Sequence, residues 1–261
     1  MFLLTHCYSR LYAFSLTMAI TLNGFAAQLL NFEGKAINPE TSDLLYVENH
    51  QAILNDAGEY LSAYITYSNP TGEIFAEKTL DYTKNALAPD MMFHDKRSDE
   101  RISVFLNKAE NYLQVLIETN ENRKLSKVKL SEPLLVVDAG FDRLIDSRWN
   151  ALRKDKELKF TFLAIMRAQL INFEAIEVKA NTNSVSLELQ PRNFFIDLLV
   201  DPILLEYELN TKRLLRFEGL TNIEKFKNGK RTEENYVARI DYTYRPLKSF
   251  SMSSQKRLIQ H

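Results

Sequence analysis

Four side chains between residues 48 and 77 carry groups suited to acid–base chemistry. Glu48 and His50 stand two residues apart in "LLYVENHQAIL" (residues 44–54), which has the composition of a β-strand. A spacing of two places both side chains on one face of a strand. If "NDAGE" and "NPTG" are the loops of successive hairpins, one row across the sheet reads His50, Tyr64, Glu77. Hydrogen bonds along such a row would equip the histidine for general acid–base catalysis.

Two interpretations of this row stay open. Tyrosine and threonine suit strands, and glutamate and histidine suit water, so the row is typical of a solvated sheet face. Alternatively the row lines a cavity, where Glu48 and Glu77 tune His50 or share a cation with it. A metal ion would need further ligands, and His94 and Asp95 are the nearest in sequence. The first interpretation is preferred, so the sequence predicts no catalytic residue, no cofactor and no metal site.

No catalytic fingerprint accompanies the row. The chain lacks Gly-x-Ser-x-Gly, His-Glu-x-x-His, a phosphate-binding glycine loop and a dinucleotide-binding glycine motif. Beyond residue 26 the histidines are His50, His94 and the final residue, His261. Catalysis by histidine is therefore restricted to His50 or His94. The many acidic residues do not single out a catalytic carboxylate pair.

Residues 1–26 have the three-part pattern of a secretory signal peptide. Arg10 precedes the uncharged run "LYAFSLTMAITL", and Gly24 and Ala26 occupy positions −3 and −1 of a cleavage after Ala26. The run has 12 residues, whereas a membrane-spanning helix needs about 20. The sequence therefore predicts cleavage and a periplasmic or secreted protein, with no transmembrane segment in the mature chain.

The composition of the mature chain excludes several classes of protein. Its only cysteine, Cys7, lies in the predicted signal peptide, so no disulfide and no thiol chemistry are expected. Removing residues 1–26 takes away only Arg10 of the 33 basic residues, which leaves 32 against 34 acidic ones. This balance argues against nucleic-acid binding. With no linker in the pattern, we expect one domain over residues 27–245 and a flexible tail over residues 246–261.

Most of the chain alternates apolar and polar residues with the period of a β-strand. The sequence predicts strands near 29–38, 43–54, 60–68, 73–83, 102–107, 112–118, 124–130, 157–165, 169–179, 184–190, 203–209, 213–218 and 236–244. Short turns between them require antiparallel neighbours. In the hairpin around "NTK", Glu206 is expected opposite Arg216 as an ion pair. The charged stretch "HDKRSDER" (94–101) is read as a surface loop, and residues 192–200 fit either a helix or a strand.

Residues 138–154 are the exception, because their apolar residues recur with helical period. Asp138 is placed to cap the start of this helix. The sequence thus predicts a mainly β fold: a large curved antiparallel sheet, as a half-barrel or open barrel, with this one amphipathic helix packed on it. The apolar stripe is expected to line a ligand cavity beneath the helix through Phe141, Leu144, Ile145 and Trp149.

The export signal, the strand series, helix 138–154 and the hairpin "DPILLEYELNTKRLLRFEGL" (201–220) resemble, in outline, periplasmic lipoprotein carriers and acceptors of the LolA/LolB type. The resemblance implies a scaffold whose concave face holds a lipid-like ligand, and it transfers no functional residue. The expected function is non-enzymatic binding of a hydrophobic or amphipathic ligand or of a cell-envelope protein. A hydrolase-like enzyme using His50, Tyr64 and the nearby glutamates, with or without a metal, is the alternative. A structural or assembly module is the third reading.

Overall fold

The computed structural model describes residues 26–130, 134–192, 202–227 and 229–251. The predicted signal peptide (apart from Ala26), all but the first residue of the undecided segment 192–200, and the end of the predicted tail, 252–261, lie outside the described residues. Within the described ranges, no helix combines the length and apolar character needed to cross a membrane.

The first half of the chain is a series of hairpins. Its strands are β1 (Ala26–Ile37), β2 (Leu44–Leu54), β3 (Tyr60–Ser68), β4 (Ile74–Asp81), β5 (Asp90–Asp95), β6 (Glu100–Asn107), β7 (Tyr112–Glu118) and β8 (Arg123–Lys129). The second half begins with a short strand and a helix. Its elements are β9 (Leu135–Val136), α1 (Gly140–Asp155), β10 (Glu157–Ala164), a 3₁₀ turn (Ile165–Arg167), β11 (Gln169–Ala180), β12 (Ser184–Pro191), β13 (Ile203–Glu208), β14 (Leu214–Lys227), β15 (Lys230–Tyr244) and β16 (Lys248–Ser251).

All described strands belong to one sheet. Its order is β8-β7-β6-β5-β4-β3-β2-β1-β15-β14-β13-β12-β11-β10-β9, with β16 pairing beside β15 on β1. Neighbours are antiparallel except for β9 and β10, which are parallel. The mainly β prediction with one α-helix is confirmed for the described residues. The sheet is open: its outermost strands, β8 and β9, form no ladder with each other.

The two outermost strands are nevertheless held close by the chain itself. The amide of Leu130, just after β8, bonds to the carbonyl of Asn111, and the carbonyl of Leu134, just before β9, accepts from Thr161 in β10. Four Cα–Cα steps separate Leu130 from Leu134, which limits their distance to about 14 Å. A sheet of this many strands meets that limit only if it curls until its edges face each other.

The turn chemistry that predicted the early hairpins is present. In the β2–β3 turn the side-chain oxygen of Asn55 accepts from the amides of Ala57 and Glu59. Asn69 plays the same part in the β3–β4 turn, at 3.1 Å from the amide of Thr71 and 3.0 Å from that of Glu73. Gly58 and Gly72 take positive φ angles of 78° and 89° in these turns. Each asparagine side chain thus accepts hydrogen bonds from loop amides in place of a backbone carbonyl.

A β-bulge next to each of these turns changes the predicted register. The ladder shifts between Ile53 and Leu54 of β2, and again between Tyr67 and Ser68 of β3. Beyond each bulge, pairing is displaced relative to the turn because one strand contributes an extra residue. The row that the sequence predicted across β2, β3 and β4 is therefore wrong, with consequences for the site.

Helix α1 packs on one face of the sheet, which we call the inner face. Leu144, Ile145 and Leu152 have no exposed surface and Trp149 is 7 % exposed. They form a core with apolar residues of β9 to β13, which confirms the predicted stripe. The capping prediction is wrong: Ala139 is the N-cap residue and makes no side-chain cap. The Asp138 carboxylate instead bonds to Lys78, so the loop before the helix is held by the sheet.

Two charged segments depart from their predicted roles. Within "HDKRSDER", residues 94 and 95 end β5 and Glu100 begins β6, so the predicted loop is a four-residue turn between strands. The sequence does not predict β5 because charged residues usually indicate a loop, whereas Asp90, Asp95 and Glu100 are all buried. The start of the predicted tail is also ordered: β16 pairs with Ala26–Leu29 at the beginning of β1. The Glu206–Arg216 pairing across β13 and β14 is confirmed.

Candidate functional site

The bulges divide the four predicted site residues between the two faces of the sheet. His50 lies opposite Ile65, not Tyr64, and Ile65 lies opposite Lys78, not Glu77. Tyr64 is 38 % exposed on the outer face, where Glu77 forms an ion pair with Lys96. Glu48 and His50 remain together on the inner face. The predicted row His50–Tyr64–Glu77 is therefore wrong, while the prediction that Glu48 and His50 share a face is confirmed.

The row that His50 occupies continues across six strands of the inner face. From β15 to β5 it consists of Tyr244, Phe32, His50, Ile65, Lys78 and Phe93. At one end the rings are stacked, with Phe32 4.2 Å from His50 and 4.8 Å from Tyr244 between ring centroids. The Arg213 guanidinium caps this stack 4.9 Å from the Tyr244 ring. The stack leaves Phe32, Tyr244 and His50 partly exposed.

Glu48 and His50 form a hydrogen-bonded dyad inside the sheet. His50 Nε2 lies 2.9 Å from Glu48 Oε2, and the Tyr242 hydroxyl donates to the same oxygen over 3.2 Å. A carboxylate only accepts hydrogen bonds, so Nε2 carries the proton of this contact. In the neutral ring the lone pair is then on Nδ1, for which the described residues supply no partner. The dyad can thus accept a proton or a hydrogen bond at Nδ1.

Gly34 makes the third member of this cluster possible. It lies between Tyr242 and Glu48 in the ladder, in the middle of three adjacent strands. A Cβ atom at Gly34 would stand 2.7 Å from the Tyr242 ring, closer than van der Waals contact allows. Without a side chain at this position, the ring of Tyr242 lies across β1 and its hydroxyl reaches Glu48 two strands away.

Burial and the charge of Glu48 alter the surrounding tyrosines. Burial raises the pKa of Tyr242 well above its usual value, and the nearby Glu48 carboxylate raises it further. The same two causes, in the same order, raise the pKa of Tyr46 and of Tyr67. A negative charge on any of these phenols would be unfavourable beside Glu48. The tyrosines therefore act here as neutral hydrogen-bonding and packing groups.

Two polar residues in the first turn of α1, Asp142 and Arg143, contact the sheet although they lie off the apolar stripe of the helix. The Tyr207 hydroxyl donates to Asp142 over 2.7 Å, and the Arg143 guanidinium lies 3.9 Å from the Tyr60 ring. Burial raises the pKa of Asp142, whereas Arg143 and the bond from Tyr207 oppose that rise. Helical periodicity could not reveal this, because both residues lie off the apolar stripe and contact the sheet through their polar ends.

Lys78 is the buried cation of the row. Its ammonium donates to both carboxylate oxygens of Asp138, at 3.0 and 2.8 Å, and their side chains are 6 % and 9 % exposed. The Tyr67 and Phe93 rings each lie 5.9 Å from the ammonium. Lys78 lies on the otherwise apolar inner side of β4, between Ala76 and Leu80. Only the register of the ladder reveals that it belongs to the row of His50.

The far ends of β14 and β15 extend beyond β1 and cover this part of the inner face. The ladder of β15 with β1 ends at Arg239, and Tyr236, further out, packs 5.8 Å from the Tyr46 ring. Further along, the Arg97 guanidinium is sandwiched between the Phe75 and Phe226 rings at 4.0 and 4.1 Å. These contacts fasten the extension to β4 and to the β5–β6 turn.

The extension also carries a group of paired charges. Arg231 of β15 donates to Glu100 of β6 over 3.0 Å and also pairs with Glu224 of β14. Burial raises the pKa of Glu100, and the charge of Arg231 opposes the rise. The cover over the inner face is therefore held by ion pairs and cation–π contacts as well as by apolar packing.

The helix residues predicted to line a ligand cavity are packed. Leu144 and Ile145 are fully buried, Trp149 meets Tyr207 edge-on at 6.3 Å, and Phe141 lies 5.2 Å from Phe160 between ring centroids. An open groove of about 600 Å³ lies elsewhere, around β6 and β7, and none of these four residues lines it. Their role as ligand contacts stays a prediction.

The described residues contain no group of three or more histidine, cysteine or acidic side chains arranged to hold a metal ion. His94, considered above as an extra ligand, bonds to Asp99 over 2.9 Å, and Asp95 is bound by Arg97. Both residues lie three strands away from the Glu48–His50 dyad along the sheet. The structure does not bring these four residues together.

Comparison with known proteins shows a likeness to a solved structure. No protein-family model matches the chain, and no curated protein matches it either. The chain is similar to the crystal structure of a β-barrel-like protein from Brucella abortus, described as a domain of unknown function, DUF1849. The match has 7 % sequence identity and a TM-score of 0.49, and covers 87 % of this chain and 98 % of the other. The assignment of this chain to a large open antiparallel sheet rests on its own strand ladder.

Proposed function

We propose that this chain is an exported, non-enzymatic binding protein of the cell envelope, and that its inner sheet face takes a hydrophobic or amphipathic ligand. The observation that carries the proposal is the row Tyr244–Phe32–His50. Its stacked rings stay partly exposed on the face that the sheet curls around, next to hydrogen-bonding groups. Apolar surface beside a few convergent polar groups is typical of small-molecule sites.

The location follows from sequence features alone. The apolar run after Arg10 and the small residues at positions 24 and 26 favour export with cleavage. Sequencing the amino terminus of the protein from a periplasmic extract tests this part, and Ala27 is the expected first residue. An intact Met1 in the cytoplasmic fraction would contradict export without bearing on what the inner face binds.

The binding proposal is tested on protein purified from its own cells. We expect mass spectrometry under native conditions to detect a bound lipid or other amphiphile, which organic extraction then releases. Phe32→Ala opens the ring stack and should reduce the bound fraction. Tyr64→Ala removes a ring from the outer face of the same sheet and should leave it unchanged. Equal loss in both variants, or no bound amphiphile and no oleate binding in the unaltered protein, would overturn the proposal.

The Glu48–His50 dyad favours a second candidate, a hydrolase-like enzyme. The carboxylate orients the ring through Nε2, so Nδ1 is available as a general base. Tyr64 and Glu77 take no part in this version, since they lie on the outer face. His50→Gln should then abolish hydrolysis in a screen of ester and amide substrates, with Glu77→Gln as the unaffected control. An unaltered protein that turns over none of these substrates would leave the binding function as the better account.

A further inference from the structure

Lys78 is unusual among the charged residues of the inner face because its own row offers it only apolar neighbours. Ile65 lies opposite it on β3 and Phe93 on β5. The residue is 5 % exposed. Lysines are almost never buried to this extent without a partner. The partner here comes from outside the strands, since Asp138 belongs to the loop that leads into α1.

The backbone and the neighbours of Asp138 show that the carboxylate is held against Lys78. Asp138 has a φ angle of 46°, in the left-handed region that few residue types other than glycine tolerate. Asn222 of β14 donates to its Oδ2 over 3.3 Å, and the amide of Ala139 donates to its Oδ1 over 2.8 Å. A carboxylate that accepts from an ammonium, an amide and an asparagine marks a site built for an anion.

Stability alone gives little reason to keep this pair. Removing two charges from water costs several kcal/mol per ion, and apolar residues of similar volume are often equally stable in place of a buried ion pair. A strand position between isoleucine and phenylalanine would accept such a residue. The Tyr67 and Phe93 rings each lie 5.9 Å from the Lys78 ammonium, and the Tyr46 and Phe75 rings pack against that of Tyr67.

We propose that Lys78 is the residue that binds the anionic head group of an amphiphilic ligand, and that Asp138 occupies the place of that head group in the present structure. The inference rests on the proposed binding function and names the ligand class: a carboxylate or phosphate monoester attached to an apolar chain. On binding, the head group replaces the Asp138 carboxylate at the ammonium, and the apolar chain contacts the aromatic rings. His50, two strands away in the same row, lies along the path of that chain.

Three probes separate the parts of this proposal: oleate below its critical micelle concentration, oleyl alcohol and acetate. Oleate has both the anion and the chain, oleyl alcohol has the chain alone, and acetate has the anion alone. We expect calorimetry or equilibrium dialysis to show that the unaltered protein binds oleate at least about tenfold more tightly than oleyl alcohol, because a hydrogen-bonded charge pair forms only with oleate. Acetate should bind much more weakly than either.

Two variants test the residue itself. Asp138→Asn keeps a residue that tolerates the left-handed backbone but removes the competing carboxylate, so oleate should bind about tenfold more tightly. The double variant Lys78→Met with Asp138→Asn removes both charges together, which avoids an unpaired buried ion. It should lose the preference for oleate over oleyl alcohol while still binding both chains. Circular dichroism and thermal unfolding establish that each variant is folded before its affinity is compared.

The outer face offers a matched control. Lys96→Met with Glu77→Gln removes an ion pair from the same sheet, on the side away from α1, and should leave the oleate affinity unchanged. If the Lys78 double variant still prefers oleate, or if the unaltered protein binds oleate and oleyl alcohol equally, the anion site is wrong while amphiphile binding stands. If acetate binds as tightly as oleate, the site serves small anions, and the ligand class is wrong. If neither oleate nor oleyl alcohol binds, the proposed function fails together with the inference.

Discussion

The two halves of the inner face are filled in different ways. Under α1, the side chains of β10 to β13 meet the helix in an apolar core, where Leu144, Ile145, Leu152 and Leu187 have no exposed surface. On β2 to β6, four charged residues are at least as deeply buried as many core residues: Glu48, Lys78, Asp95 and Glu100. A sheet face that needed only to be covered would be apolar throughout. If the proposed function is right, ligand recognition belongs to the half on β2 to β6, and the helix half serves stability.

Alkaline pH should unfold the protein, chiefly through the half of the inner face that carries the buried charges (the charged half). Burial raises the pKa values of Tyr46, Tyr67, Tyr82 and Tyr242 there, and of Tyr207 under α1. Because the folded-state pKa values lie above the unfolded value of about 10, the contribution of these tyrosines to stability is constant below that pH and is lost as the pH rises beyond it. We expect most of the tyrosinate absorbance to appear in the same transition as the loss of circular dichroism, above about pH 10. Ionisation of most phenols before unfolding would contradict the buried environment.

Shortening a core side chain in the helix half should lower stability and leave binding unchanged. Leu152→Ala removes a side chain with no exposed surface, and such changes lower the free energy of unfolding by about 2–5 kcal/mol. Urea titration gives the change, and oleate affinity measured well below the unfolding midpoint should not alter. Leu204→Ala, at a 40 % exposed position on β13, is the control with little cost. A Leu152→Ala protein that stays stable but no longer binds oleate would indicate that the ligand binds beneath the helix instead.

Filling the space at Gly34 should disturb the charged half alone. In Gly34→Ala the new Cβ meets the Tyr242 ring, so the ring must leave Glu48, at a cost of about 1–3 kcal/mol. A double-mutant cycle with Tyr242→Ala tests the cause, because most of the cost should vanish when the ring is absent. If the cost is the same in both backgrounds, the nearby Ile240 side chain, not Tyr242, limits the space.

The smallest effect is expected outside both halves, on the outer face. Arg216 lies 2.7 Å from Asp241 and 3.9 Å from Glu206, and all three side chains are substantially exposed. Arg216→Ala should lower the free energy of unfolding by less than about 1 kcal/mol. This loss in the free energy of unfolding should be smaller still in high salt, because salt screens exposed charges. A larger, salt-independent loss in urea titrations would show that this pair contributes more than surface charge.

Most elements could be predicted from the sequence, because hairpin turns and alternation are local signals. Residues 60–68 and 112–118 are strands with the predicted bounds, and the predicted helix begins two residues late, at Gly140. β5 is not predicted, because the three carboxylates at or near its ends have the composition of a loop although they are buried. Those carboxylates are buried only because Arg97, Lys84 and Arg231 reach them, two of these from outside the β5–β6 hairpin.

The site was predictable only in part, because its residues are brought together by register. Glu48 and His50 share a face by strand period, which the sequence shows. Their partners depend on the register shifts next to Leu54 and Ser68, which the turn residues alone do not fix. The shift between β2 and β3 turns β3 and β4 over relative to β2, so Lys78 and not Glu77 shares the face of His50. The sequence does not predict the sheet contacts of Asp142 and Arg143, because helical period reports apolar content and not a hydrogen bond to Asp142 or a cation–π contact of Arg143.

The short connection between Leu130 and Leu134 has a further consequence. Covalent length at this point sets an upper limit on the gap between the two rims of the sheet, beside the Lys78–Asp138 and Arg143–Tyr60 contacts that join the start of α1 to β4 and β3. A flexible insertion there costs little entropy, so it would remove the covalent limit and leave those contacts in place. Circular permutation at the same place would leave each rim with a free chain end, and side-chain contacts alone would then keep the sheet rolled up.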